Sequence, residues 1–231
     1  MKHFWKSLAA GVALGAILSA PLAAAPANPV QNQPAFGGPV GIGPNYNALL
    51  GSYAKGMTSG VIAAGASAGA PIFDFQYTGP GLAVIRKVTI SVGDAGTGFA
   101  AGNAHFDLYA ARAFTAADTG GTAGTLTGNN AKLRTSFPTT ALGAIMIANT
   151  GAMSAGTRTL DTDPLGSVSA ATTTTAGLAV LAPTDLLAPK NAGDYPAVFA
   201  TNEGFEIQAT VPATGTWTVS VTVYWDEYSS Y

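Results

Sequence analysis

A serine, a histidine and a handful of carboxylates are the residues from which this chain could build a reaction. Ser67 sits at the centre of "GASAG", Gly65 to Gly69, which fits the G-x-S-x-G turn that exposes a nucleophile in acyl transfer. Asp74 or Asp94, and then His105, would complete the order serine, acid, histidine. The elbow needs a strand before the serine and a helix after it. The residues after Ser67 are instead "APIFDFQY", which alternate as a strand. His105 is the one histidine beyond the N-terminal leader, and it shares a strand face with Asp107, opposite Phe106 and Leu108. The alternation supports an exposed or interface histidine over a triad member.

The acids are few. Asp161 and Asp163 in "DTDP" offer two oxygen ligands for a hard cation such as calcium, without the further ligands such an ion takes. Glu203, Glu206, Asp226 and Glu227 fall on or near two C-terminal strands. Paired carboxylates that flank a cleft hydrolyse glycosides. Polar positions on a solvated sheet face account for them equally well.

Two glycine-rich stretches imitate nucleotide loops. "GGTAGTLTGNNAK", within the longer run Phe114 to Phe137, lacks the Gly-Lys-Ser/Thr ending of a phosphate loop. Lys132 comes too late for the turn, and Pro138 argues against the helix whose N-terminal N–H groups would hold a phosphate. The run reads as a long hairpin-type connection. "GTGFAA", Gly96 to Ala101, fits the loose G-x-G-x-x-G/A pattern, with Asp118 at about the spacing of a ribose contact. The next residues, "NAHFDLYAARAF", have period 2, so this too reads as a hairpin loop. No catalytic, cofactor-binding or metal-ligating residue is therefore assigned from the sequence, and the chain is not expected to be an enzyme.

The elements that would position these residues are strands. Phe73, Phe75 and Tyr77 share a face against Asp74 and Gln76. Val88, Ile90 and Val92 do so against Lys87, Thr89 and Ser91, and Phe106, Leu108 and Ala110 line a third strand. "ALGAIMIANTGAM" suggests a strand centred on Ile145 to Ile147. "SVSAATTTTAGLAVLAPTD" favours extended chain through its threonines. Phe205, Ile207, Ala209 and Val211 alternate with polar residues, as do Trp217, Val219, Val221, Val223 and Trp225. "VPATGTW" between these two reads as a tight antiparallel connection. Strands at this spacing without amphipathic helices predict an all-β fold, an antiparallel β-sandwich of jelly-roll-like type over residues 71–231.

Charged residues are 10 % of the 231-residue chain, against roughly 25 % in an average soluble domain. So few charges suit a surface packed against other subunits. The net charge of −2 gives no basic face for nucleic acid. With no cysteine, disulfides, cysteine–zinc sites and thiol catalysis are excluded. Residues 1–27 carry Lys2 and Lys6, an apolar stretch from Leu8 to Leu18, and small residues around Ala25 to Ala27. This is a signal-peptide pattern, with cleavage before Asn28 or near Ala24. The alternative is an uncleaved apolar arm. Pro21 interrupts the apolar run, so no stable membrane anchor is expected. Residues 28–70 are rich in Pro, Gly, Ala and Asn and read as an extended arm, with a short strand near Gly60 to Ala64.

Three stretches carry a family resemblance: "ARAFTAADTGGTA", "TGNNAKLRTS" and "PATGTWTVSVTVYWDE". From about Tyr46 to Tyr228 the chain resembles structural proteins encoded by tailed bacteriophages and prophages. The resemblance implies an all-β, non-enzymatic virion subunit, of capsid-decoration or head-fibre type. It implies self-association, as a homotrimer or a larger assembly, and contacts with other virion proteins. The leader departs from that family, because phage heads assemble without export. It keeps open an exported surface, filament or adhesin subunit with the same fold. The aromatic end "YWDEYSSY" would suit stacking on a sugar or a partner, although Trp217 and Trp225 align with the valines of a core.

Overall fold

In the computed structural model, residues 48–63, 65–66, 68–175, 179–189 and 195–230 are described. They form thirteen strands: β1 (Leu49–Thr58), β2 (Ile62–Ala63), β3 (Ala70–Tyr77), β4 (Leu82–Asp94), β5 (Gly102–Ala116), β6 (Thr122–Ala123), β7 (Leu142–Ile147), β8 (Thr157–Leu160), β9 (Gly166–Thr172), β10 (Ala179–Leu187), β11 (Ala197–Phe199), β12 (Glu203–Thr210) and β13 (Thr216–Tyr228). One sheet has the order β1-β13-β4-β10, with β2 on β13 and β11 on β4. The other has the order β6-β7-β3-β12-β5-β8, with β9 on β5. Every pairing between them is antiparallel. The expected all-β sandwich is present. Its first strand, however, begins at Leu49, inside the stretch read as arm up to residue 70. Tyr53 of that strand is fully buried, which binds β1 to the core despite its glycines. The leader, the first part of the arm and Ser67 lie outside the described residues.

The period-2 patterns build the core. Phe73, Phe75 and Tyr77 of β3, Phe106 and Leu108 of β5, and Phe205 and Ile207 of β12 are fully buried. Trp217, Val219, Val221, Val223 and Trp225 face them from β13. Phe75 meets Trp225 edge-on at 5.3 Å between ring centroids, and Phe106 meets Trp217 at 6.1 Å, so aromatic pairs tie the two sheets together. Such pairs add about 0.5–1.5 kcal/mol each beyond the area they bury.

Three connections read as hairpins are not hairpins. β4 and β5 lie in different sheets, so Ala95 to Ala101 climbs from one sheet to the other. Phe99 of that corner is buried against Trp217 and closes one end of the core. β12 and β13 likewise lie in different sheets, so "VPATG" is a second corner. Gly215 takes φ 117° there, with Phe99 only 3.0 Å from where a Cβ would stand. The run from Ala117 to Ala141 is the third. It leaves β5, pairs briefly as β6 with β7, and then departs to the edge of the opposite sheet.

At that edge the run behaves as a cover. Ala54 donates to the Ala131 carbonyl at 2.8 Å and Leu133 donates to Ser52 at 3.1 Å. The Tyr53 hydroxyl donates to Pro138, and Lys55 Nζ donates to Thr125 at 3.0 Å. An uncovered edge strand is a template for unwanted pairing, and here the loop occupies it. Glu227 of β13 fixes the loop's far end. Its buried carboxylate accepts from the Thr140 hydroxyl, the Ala141 amide at 3.0 Å and the indole N–H of Trp225 at 3.2 Å.

Glu227→Ala therefore leaves three donors without an acceptor in a buried site. We expect a loss of about 2–4 kcal/mol in a urea titration, together with faster amide exchange at Ala141 and Leu142. Wild-type exchange at these two amides in the variant would show that Glu227 does not hold the loop.

Candidate functional site

Alternation alone puts the polar side of β3 and β12 in solvent. The structure encloses it. Asp74 and Glu206 are fully buried, and Gln76 nearly so. The cause is topological. β5 and β7 are separated in their sheet by β12 and β3. The chain leaving β5 must cross both strands to reach β6 and β7, and must cross back to reach β8. The two crossings run side by side, joined by Thr119 donating to Ser154 at 3.0 Å and Ser154 donating to Thr119 at 2.8 Å.

The polar residues beneath are the anchors of these crossings. Gln76 Nε2 donates to the Phe114 carbonyl at 2.7 Å. The Asp118 amide donates to Asp74 Oδ2 at 2.7 Å, and the Gly156 amide donates to Asp118 Oδ1 at 2.8 Å. Arg158, at the start of β8, ion-pairs with both Asp118 and Glu206, and its side chain is 5 % exposed. Gln208 Nε2 donates to Glu206 Oε1 at 2.8 Å. The guanidinium carbon of Arg158 stands 5.5 Å from the centre of the buried Phe114 ring. A small cavity of about 170 Å³, lined in part by Gly69, Pro71, Arg158 and Glu206, opens beside the pair.

Two carboxylates, Asp118 and Glu206, thus share one buried guanidinium, and Asp74 is held next to them through the Asp118 amide. Burying a charge without full compensation favours its neutral form. Burial pushes the Asp74 carboxyl up to about 6, with the Asp118 carboxylate adding to the rise and the Asp118 amide opposing it. Burial also raises Asp118, against the pull of the Gly156 amide and Arg158. A carboxyl held partly protonated in an enclosed site is a feature of general acids. Here its hydrogen-bond partner is backbone of the same chain, so the arrangement works as a fastening.

The other residues singled out from the sequence disperse. His105 is exposed on β5, between Thr210 and Ser169, and Asp107 accepts from the Ser167 hydroxyl. Asp94 accepts from the Gly96 amide at 2.7 Å and shapes the corner. Asp118, considered for a ribose contact, is the buried partner of Arg158. Lys132 bridges to Tyr53 at the covered edge. Asp161 is held by Arg112 at 3.3 Å, and Glu203 is held by the same guanidinium at 2.9 Å. Asp226 pairs with Arg86 and is buried. Glu206, Asp226 and Glu227 therefore do not sit on a solvated sheet face, because crossings, a loop or ion pairs cover each of them. Among the described residues, no group of three or more metal-ligating side chains converges.

A second concavity lies at the foot of the opposite sheet. It has a volume of about 630 Å³, and Ser52, Arg86, Lys87, Leu133, Tyr224 and Asp226 are among its lining residues. Leu133 and Tyr224 are both exposed large side chains. The aromatic C-terminus divides accordingly: Trp217 and Trp225 belong to the core, and Tyr224 reaches solvent.

No family model, curated protein or solved structure matches this chain.

The raised carboxyls give stability a definite pH dependence. A carboxyl whose folded pKa exceeds its unfolded value stabilises the fold fully at low pH, and the benefit is lost as pH rises through the folded value. From Asp74, whose folded value is about 6, stability falls between about pH 4 and about pH 6.5 and then levels. Asp74→Asn keeps an oxygen for the Asp118 amide and carries no charge. At pH 7.5 it is expected to be more stable than wild type, by up to about 3 kcal/mol. Its denaturation midpoint is expected to vary less between about pH 4 and about pH 7. A midpoint with unchanged pH dependence would show that Asp74 is not the titrating group.

Proposed function

We propose that the chain is a non-enzymatic structural subunit of a tailed-phage virion, of capsid-decoration, cement or head-fibre type, that acts by packing against copies of itself and other virion proteins. The observation that carries this reading is the use made of its few charges. Asp74, Asp118, Arg158 and Glu206 fasten two crossings, and Glu227 fastens a loop. The result is a braced sandwich with a hydroxyl-rich, charge-free stretch on the outer face of β13 and β4. There Thr218 and Ser220 stand beside Gly93 and Ser91. Charges are depleted at the centres of protein interfaces, and a face of this kind suits burial between subunits. The proposal follows the expectation drawn from the sequence stretches between Tyr46 and Tyr228. In this proposal the arm ahead of β1 ties neighbouring subunits together, each large apolar side chain that it buries contributing about 1.5–3 kcal/mol.

Removal of residues 1–47 tests the arm, since the cut leaves β1 and its buried Tyr53 in place. The expected variant keeps the wild-type melting midpoint but sediments as a smaller species and fails to join the particle. Undiminished assembly in sedimentation velocity would overturn the arm's role.

The leader favours a second reading, an exported surface, filament or adhesin subunit with the same fold. The intact mass of the protein in its native particle fraction separates the two. The virion reading predicts a mass that includes Met1 to Ala27. A mass beginning near Asn28 would mean passage across a membrane and would replace it with the exported subunit.

A further inference from the structure

We propose that the 630 Å³ groove at the foot of β1, β13 and β4 is a binding site for a neutral saccharide. Tyr224 is the platform. It is 39 % exposed, on a strand whose alternate members are buried. Its cross-strand neighbours are Ala54 on β1 and Lys87 on β4, and the next residue of β1 on that face is Gly56. Directly beside the ring, β1 therefore offers only a methyl group. Leu133, carried by the loop that covers the β1 edge, is 59 % exposed and supplies an apolar wall.

The charges around the ring come in neutral pairs. Arg86 binds Asp226, and Lys87 Nζ lies 2.9 Å from Asp185 Oδ1. Asp226 also accepts from the Tyr228 hydroxyl at 3.4 Å. Ser52, Thr89 and Thr222 add hydroxyls to the lining. These pairings select among ligands. A free anion or cation would have to compete with a partner already in place. A wholly apolar ligand would strip water from ion pairs, which costs more than their attraction returns. A neutral sugar meets both demands. Its C–H face lies on an aromatic ring, and its hydroxyls each donate and accept, matching fixed donors and acceptors of both kinds. The volume lies within the range of about 300–1,000 Å³ found for small-ligand sites, which suits a short oligosaccharide. The site is independent of the virion reading, since it draws only on side chains of the sandwich.

The test uses the full chain on an array of immobilised neutral, uronate-bearing and sialylated oligosaccharides, followed by calorimetric titration with the best-retained glycan. Retention of neutral glycans is expected, with affinity reduced at least about tenfold in Tyr224→Ala and kept within about twofold in Tyr224→Phe, which preserves the ring. Both variants alter an exposed side chain, and an unchanged melting midpoint verifies that each is folded. The proposal is overturned if no glycan is retained, if only the acidic glycans are, or if Tyr224→Ala binds as wild type does.

Discussion

The contact between Arg158 and the carboxylates of Asp118 and Glu206 is the interaction on which the second sheet depends. The strand order puts β12 and β3 between β5 and β7. Any chain that visits β5, β7 and β8 in sequence must therefore cross the outer face of that sheet twice. A crossing brings backbone amides and carbonyls over a sheet surface, where they lose water and need partners. The sheet supplies them from side chains that point outward: Asp74 and Gln76 from β3, and Glu206 from β12. Arg158 then links the second crossing to the first and to the sheet. Apolar side chains in those places would have filled the space but left the amide of Asp118 and the carbonyl of Phe114 unpaired. A buried ion pair is weak evidence of stability in itself. Its value here is directional, because it fixes where two irregular segments lie.

The same device recurs on the other sheet with a single residue. Glu227 accepts from a hydroxyl, a backbone amide and an indole. It thereby sets the return point of the loop that shields β1. The raised Asp74 carboxyl is the cost of the first arrangement, since the group is buried and the Asp118 carboxylate stands near it. Glu227 faces three donors instead. Asp74, Asp118, Glu206 and Glu227 are each engaged by the chain's own backbone or side chains.

The strands were legible because burial on one face imposes period 2, and the apolar members of β3, β5, β12 and β13 are all in the core. Their pairing was not legible. The glycines, threonines and prolines of Gly93 to Asn103 and of "VPATG" serve equally well in a hairpin and in a corner between sheets. The choice depends on partners more than a hundred residues away, as with Trp217 opposite Asp94. The burial of Asp74 and Glu206 was hidden for the same reason. Alternation told which face they occupied, and only the path of the crossings told that the face is covered. β1 escaped the pattern because "GSYAKG" has glycines at both ends and one large residue. Tyr53, stacked on Trp225 at 5.4 Å, holds the strand in place through a contact that no local pattern reveals.

These two kinds of polar group lead to different functional consequences. Charges beneath the crossings are enclosed and act on the chain's own backbone, so they set rigidity. Charges around Tyr224 are paired yet reach the surface, with Arg86 and Lys87 side chains 55 % and 43 % exposed, so they remain available to a visiting molecule. On the same sheet, Thr218 and Ser220 beside Gly93 and Ser91 form a stretch without charge. Among the described residues, the buried charges fasten the chain to itself, and Arg86, Lys87, Asp185 and Asp226 gather near Tyr224 as exposed or part-exposed pairs.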